Sequence, residues 1–171
     1  MKKFLKYVGL GSVLLAVIAL ILILSTPVAT IKVGSSTLST SGTYAIFGHK
    51  GGSPLDPDIS LAWTGLLAFI FIVLATLAEV VVVVLPLLKV NALAKVEKFV
   101  HLGVALLLLV AGIFVFCTKG ALSAANSNFF DDYTIGAGFV IAGILLVLGS
   151  LTALVPVLFG CKKCCCKCCK K

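Results

Sequence analysis

Leu61–Leu88 reads LAWTGLLAFIFIVLATLAEVVVVVLPLL, and this stretch decides the fold class. Only Glu79 and Pro86 interrupt an otherwise apolar run. About 20 apolar residues in a helix cross a hydrocarbon core about 30 Å thick. In lipid only helices and closed barrels satisfy their own backbone, and a run this long without alternation is a helix. Working outward, three further runs have the same character: Phe4–Leu24, Phe99–Cys117 and Ile135–Phe159. The expected fold class is therefore an all-α membrane protein, a four-helix transmembrane bundle forming one domain over residues 1–171. Its helices are expected at about 4–24, 61–88, 99–117 and 135–159.

Composition agrees. Of the 171 residues, 61% are hydrophobic and 12% charged, against about 25% charged in soluble domains. The net charge of +8 comes with 14 basic residues, all of them lysine. They sit beside apolar runs and form no recognition element, so nucleic acid is excluded as a partner. Lys2, Lys3 and Lys6, then Lys89, Lys95 and Lys98, then Lys162, Lys163, Lys167, Lys170 and Lys171 fall on one side. Lys32, Lys50 and Lys119 fall on the other. The positive-inside rule puts both termini and the middle loop in the cytoplasm. The location that follows is multi-pass, in the plasma membrane. The first run also has the basic start and apolar middle of a signal peptide, but its length and Pro27 favour an uncleaved anchor.

Two outer loops follow, at about 25–60 and 118–134. Thr30–Phe47 is rich in Thr, Ser, Val and Ile, with Ile31 and Val33, then Tyr44 and Ile46, at alternate positions. That pattern predicts a small β-hairpin-like cap in the first outer loop. Gly48–Pro57 is turn sequence. Trp63 opens the second helix at the outer interface, where Trp is enriched.

Glu79 is the only acidic residue inside a span, and an ionisable group there is costly. Thr76, Ala75, Ile72, Ala68 and Gly65 share its helical face, a small-residue stripe of the kind on which helices approach closely. On the fourth helix Gly136, Gly143 and Ser150 recur every seven residues. The expectation is that the second and fourth helices pack together, with Glu79 bonded to Ser150 or Thr152 and Ser12 at nearly the same depth. The same small-residue faces offer self-association or contact with other membrane proteins. Glu79 has three competing roles, a protonated structural carboxyl, a proton or cation site, or a contact with a partner helix. His101 reads as an interface or helix-end group, His49 as a solvated turn residue, and Cys117 as an isolated thiol. Asp56, Asp58, Asp131 and Asp132 lie in the outer loops.

The tail, CKKCCCKCCKK from Cys161 to Lys171, is the most unusual stretch. Cys161, Cys164, Cys165, Cys166, Cys168 and Cys169 among lysines are acceptors for palmitate-type S-acylation, which would make the chain a lipoprotein. Cys161, Cys164, Cys165 and Cys168 have zinc-ligand spacing, yet adjacent cysteines cannot all face one ion. A tail of biased composition with neither role is the third reading. Phosphate loops, nucleophile elbows and zinc-protease helices are absent. The chain reads as no enzyme and needs no cofactor; its certain partner is the lipid bilayer.

Four helices, cytoplasmic ends, a long first outer loop with strands, a shorter second loop and cysteines after the last helix together resemble the layout of the claudin and peripheral-myelin-type tetraspan proteins. The resemblance is one of arrangement. The Trp-Gly-Leu-Trp and paired outer-loop cysteines of that family are missing, the nearest string being Ala62–Leu66 in the second span, so no residue role carries over. It implies a non-enzymatic scaffold or interaction protein. The alternatives are a small ion- or proton-coupled transporter or channel subunit centred on Glu79, and a metal-handling protein using the tail.

Overall fold

The computed structural model describes residues 2–33, 36–51, 58–87, 97–126 and 132–165. The described residues are 80% helical. Four helices are long and apolar enough to cross a membrane: α1 (Lys2–Ser25), α3 (Trp63–Leu87), α4 (Glu97–Ala125) and α5 (Ala137–Cys165). The short α2 (Gly42–Phe47) lies in the connection between α1 and α3. Buried positions recur every three or four residues, as a helix face requires. On α1 these are Gly9, Ser12, Ala16, Ala19 and Ile23; on α3 they are Ala68, Ile72, Ala75, Glu79 and Val82. On α4 they are His101, Val104, Ala105, Leu108, Ala111, Gly112 and Val115.

Many large apolar residues face out, with Phe99 75% and Leu14 62% exposed, while small residues such as Ala16, Ala19, Ala68, Ala75, Ala111 and Ala142 alternate inside with Ile23, Ile72, Leu108 and Leu146. Small residues at a helix contact permit close backbone approach. At Gly112 an added Cβ would stand 3.4 Å from Gly143 O, so α4 and α5 touch almost backbone to backbone there.

Around the bundle, α5 packs on α1 and α4, while α3 packs on α4 and, more narrowly, on α1. The expected pairing of the second and fourth helices is therefore wrong, since α3 and α5 occupy opposite corners. All four helices carry small-residue stripes, so a stripe does not choose its partner. The stripe of α5 is taken up elsewhere, Gly143 by α4 and Gly149 by Leu108 of α4 and Leu15 of α1.

Above the bundle, β1 (Pro27–Val33) pairs antiparallel with β2 (Ser36–Ser41), the expected hairpin. A third strand, β3 (Thr134–Ile135), comes from the α4–α5 connection and pairs with β1 through Ala29–Ile135 and Thr30–Thr134. The sheet order is β2-β1-β3, so the α1–α3 and α4–α5 connections build one cap. Tyr44 and Ile46 are not strand residues. Ser41 caps α2, its hydroxyl accepting from Thr43 N, and Tyr44 and Ile46 fall on that helix. The third long helix overshoots its expected end at Cys117 by two turns. Thr118 hydrogen-bonds Phe114 O and Leu122 is buried, so hydropathy falls there while the helix continues. α5 runs on to Cys165, whereas Cys166, Cys168 and Cys169 lie outside the described residues.

Candidate functional site: a buried carboxylate–imidazole pair

Glu79 sits on the inward stripe of α3, eight residues before that helix ends, and is 1% exposed. His101 sits one turn into α4 and is 5% exposed. Because α3 and α4 run antiparallel as neighbours, these positions meet near the end of the bundle that carries the chain termini. His101 Nδ1 lies 3.0 Å from Glu79 Oε2. Ser12 of α1 donates from Oγ toward Glu79 Oε1 at 3.3 Å and toward its own Gly9 O at 2.8 Å. A hydroxyl has one proton, so the shorter bond holds it and the Glu79 contact is the weaker arm.

Gly9 explains how α1 comes so close. A Cβ at that position would lie 3.0 Å from Glu79 Oε1, 3.1 Å from Val83 Cγ2 and 3.8 Å from His101 Cε1. Glycine lets the α1 backbone close over the pair and exclude other atoms. On the opposite side of the imidazole, Nε2 lies 3.9 Å from Glu97 Oε1, and the Glu97 side chain is 47% exposed. The polar groups thus form a line: half-exposed Glu97, buried His101, buried Glu79, buried Ser12.

The line stops at Glu79 and Ser12. Toward the cap, the inward positions are Ala75, Ile72 and Ala68 on α3, Ala16, Ala19 and Ile23 on α1, and Leu108, Ala111 and Val115 on α4. Thr76 turns its hydroxyl back to Ile72 O. Among the described residues Thr64 Oγ1 is the buried side-chain oxygen without a partner, and it lies at the cap end of α3.

Sequence reasoning placed Glu79 inward and Ser12 at its depth, and the structure joins the two. It does not join Glu79 to Ser150 or Thr152. Ser150 is buried on α5, at the far corner, and Thr152 donates to Gly149 O on its own helix. His101 is no helix-end group but the main partner of Glu79. The stripe His101, Ala105, Leu108, Gly112, Val115 carried that information: extended one turn back from Ala105, it reaches His101. Glu97, not singled out from the sequence, stands one turn further.

Elsewhere, the His49 ring stacks on Tyr44, with centroids 4.1 Å apart, so it is not a freely solvated turn residue. The His49 backbone pairs with Ile59, and Asp58 accepts from Gly51 N at 2.7 Å, a turn-shaping role. Cys117 is exposed on the outer surface of α4. Among the described residues no cluster of three His, Cys, Asp or Glu side chains is placed to hold a metal. The side chains of Cys161, Cys164 and Cys165 lie outside the described ones.

These features define a class: a bundle of four helices, each long and apolar enough to cross a membrane, with a sheet cap and one buried carboxylate–imidazole pair. Comparison with family models, with curated proteins and with solved structures finds no match to this chain.

Proposed function

We propose that this chain is a multi-pass membrane protein with both termini in the cytoplasm, acting as a non-enzymatic scaffold or interaction protein through its outer cap. One observation carries the reading. Both outer loops are tied into one three-stranded sheet, and backbone bonds fix that sheet to the segments that leave α1 and enter α5. Gly42 N donates to Thr26 O at 3.0 Å and Gly136 N to Val28 O at 2.9 Å. A cap held this firmly is a preorganised surface, which lowers the ordering cost of binding. Beside it stand exposed aromatic groups: Trp63 at 57%, Phe47 at 56% and Tyr44 at 39%. Aromatic anchors are the residues on which interfaces most depend. The lysine distribution supports the orientation. Retention of α1 is supported by Gly9 and Ser12, which complete the Glu79 site.

A photo-crosslinker at Phe47, activated in the native membrane, tests the reading. The expected result is a discrete protein adduct of fixed mass, lost when Tyr44→Ser is added. Adducts with lipid alone would overturn the scaffold role.

A second reading, a proton- or ion-coupled carrier, is favoured by the Glu79–His101 pair, because buried ionisable pairs mark such pathways. Flux through reconstituted vesicles that vanishes in Glu79→Gln would establish it. The apolar layers between Glu79 and the cap weigh against conduction through a single copy.

A further inference from the structure

We propose that Glu79 and His101 form a proton store inside the bundle, filled from the terminal end through Glu97 and closed toward the cap. The inference rests on the chain spanning a membrane and is independent of what the cap binds.

The chemistry follows from three positions. In the empty state Glu79 is a carboxylate accepting at Oε2 from His101 Nδ1–H across 3.0 Å. The other ring nitrogen, Nε2, then has a free lone pair directed at Glu97. A proton taken from water by the half-exposed Glu97 carboxylate passes to Nε2, where a new N–H bond forms. The Nδ1–H bond breaks, and that proton moves to Oε2 of Glu79. The store is now a neutral carboxylic acid donating to Nδ1 of a neutral imidazole. One proton has entered, Glu97 has returned to its carboxylate, and His101 has exchanged tautomers. The 3.9 Å from Nε2 to Glu97 Oε1 exceeds hydrogen-bond length. A rotamer change of Glu97 closes it, and its 47% exposure leaves room for that change.

Two geometric facts make the site a closed one. Glu79 is 1% exposed and His101 5% exposed, so a proton reaches the carboxyl through the imidazole and not from water. Ser12 offers Oε1 only the weak arm of a proton shared with Gly9 O, so it does little to hold the charge. The surroundings add no competing charge among the described side chains. α1 presents Gly9 and Ser12, and α3 presents Val83. α4 presents His101 itself with Glu97, beside which Lys98 has interactions of its own. α5 faces α1 and α4 instead. One-sidedness follows from two observations: Ser12, the further partner of Glu79, turns its proton back to Gly9 O toward the terminal end, and the α3 layers Ala75, Ile72 and Ala68 are apolar.

The test is infrared difference spectroscopy on full-length protein in vesicles, with pH set separately on the two sides. The readout is the protonated-carboxyl stretch and its shift on transfer to heavy water. Wild type is expected to show a band that responds to pH on the terminal side only. Glu79→Gln, close to isosteric, removes it. Glu97→Gln keeps the band but slows its deuterium exchange roughly a hundredfold, the range of a lost positioned proton carrier. His101→Asn slows exchange at least as much. A band that survives Glu79→Gln, that follows cap-side pH, or that exchanges at the wild-type rate in Glu97→Gln overturns the proposal. If Glu79→Gln does not fold, Glu97→Gln decides alone, since its side chain lies at the bundle edge.

Discussion

At Glu79 the stability of the bundle depends on one partner. The His101 imidazole gives the carboxyl its shortest contact, 3.0 Å, and Ser12 gives a longer one. Replacing His101 with Leu leaves a buried carboxyl with little else to bond. Leaving a buried polar group without its partner costs about 1–3 kcal/mol, and more for a charged one. Thermal unfolding of His101→Leu in detergent micelles is expected to show a loss of that size. The double variant Glu79→Leu, His101→Leu should recover much of it, because replacing both partners of a buried hydrogen bond with apolar groups can be nearly neutral. A double variant no more stable than the single one would show that the pair is not the source of the loss. The residue scale is also where the sequence said least. Nothing in the letter His at position 101 separates a helix-end group from a partner of Glu79. The difference lies in the phase of the α4 stripe, whose start the hydropathy drop at Lys98 conceals.

Among the elements, the cap carries the sharpest consequence. β3 belongs to a loop a hundred residues along the chain from β1, yet Thr30 and Thr134 face each other, their hydroxyls 3.1 Å apart. That spacing brings the γ atoms within reach of a disulfide after modest adjustment. The variant Thr30→Cys, Thr134→Cys is expected to form an intramolecular disulfide in an oxidising outer compartment. A tryptic mass analysis without reduction would show the two loop peptides joined. Free thiols at both positions would show that the loops are not paired. The strand pattern of Thr30–Phe47 revealed the hairpin, because alternation and turn residues are local. It did not reveal β3, a two-residue strand with no pattern of its own, nor α2, where the Ser41 cap prevails over the alternation of Tyr44 and Ile46. Glycines do similar work between elements. A Cβ at Gly136 would fall on Pro27 O, and one at Gly42 on Ile23 O, so these two close approaches require glycine.

For the whole molecule, orientation and the tail are read together. Under the proposed topology, with both termini in the cytoplasm, an impermeant amine reagent on intact cells is expected to label Lys50, which is exposed, and to spare Lys162, Lys163, Lys167, Lys170 and Lys171. The reverse pattern would invert the topology. The same digest reads the tail. Acylation raises the denatured mass in steps of one acyl chain, mapped to Cys161–Cys169, and an anchored tail requires the cytoplasmic side. An unmodified tail holding stoichiometric metal in the native protein would instead favour the metal-handling reading.

The sequence by itself determined the class of architecture and the burial of Glu79. Both are properties of single segments: run length against bilayer thickness, and the phase of a stripe along one helix. The lysine bias, also local to each run, set the expected orientation. Which helices touch was decided only in three dimensions, because all four carry small-residue stripes and any two would mesh. Packing geometry and antiparallel neighbour relations then placed α3 beside α4 and opposite α5. That choice gave Glu79 the His101 imidazole in place of Ser150, and so turned a lone buried carboxyl into a pair with a polar path to one end of the bundle.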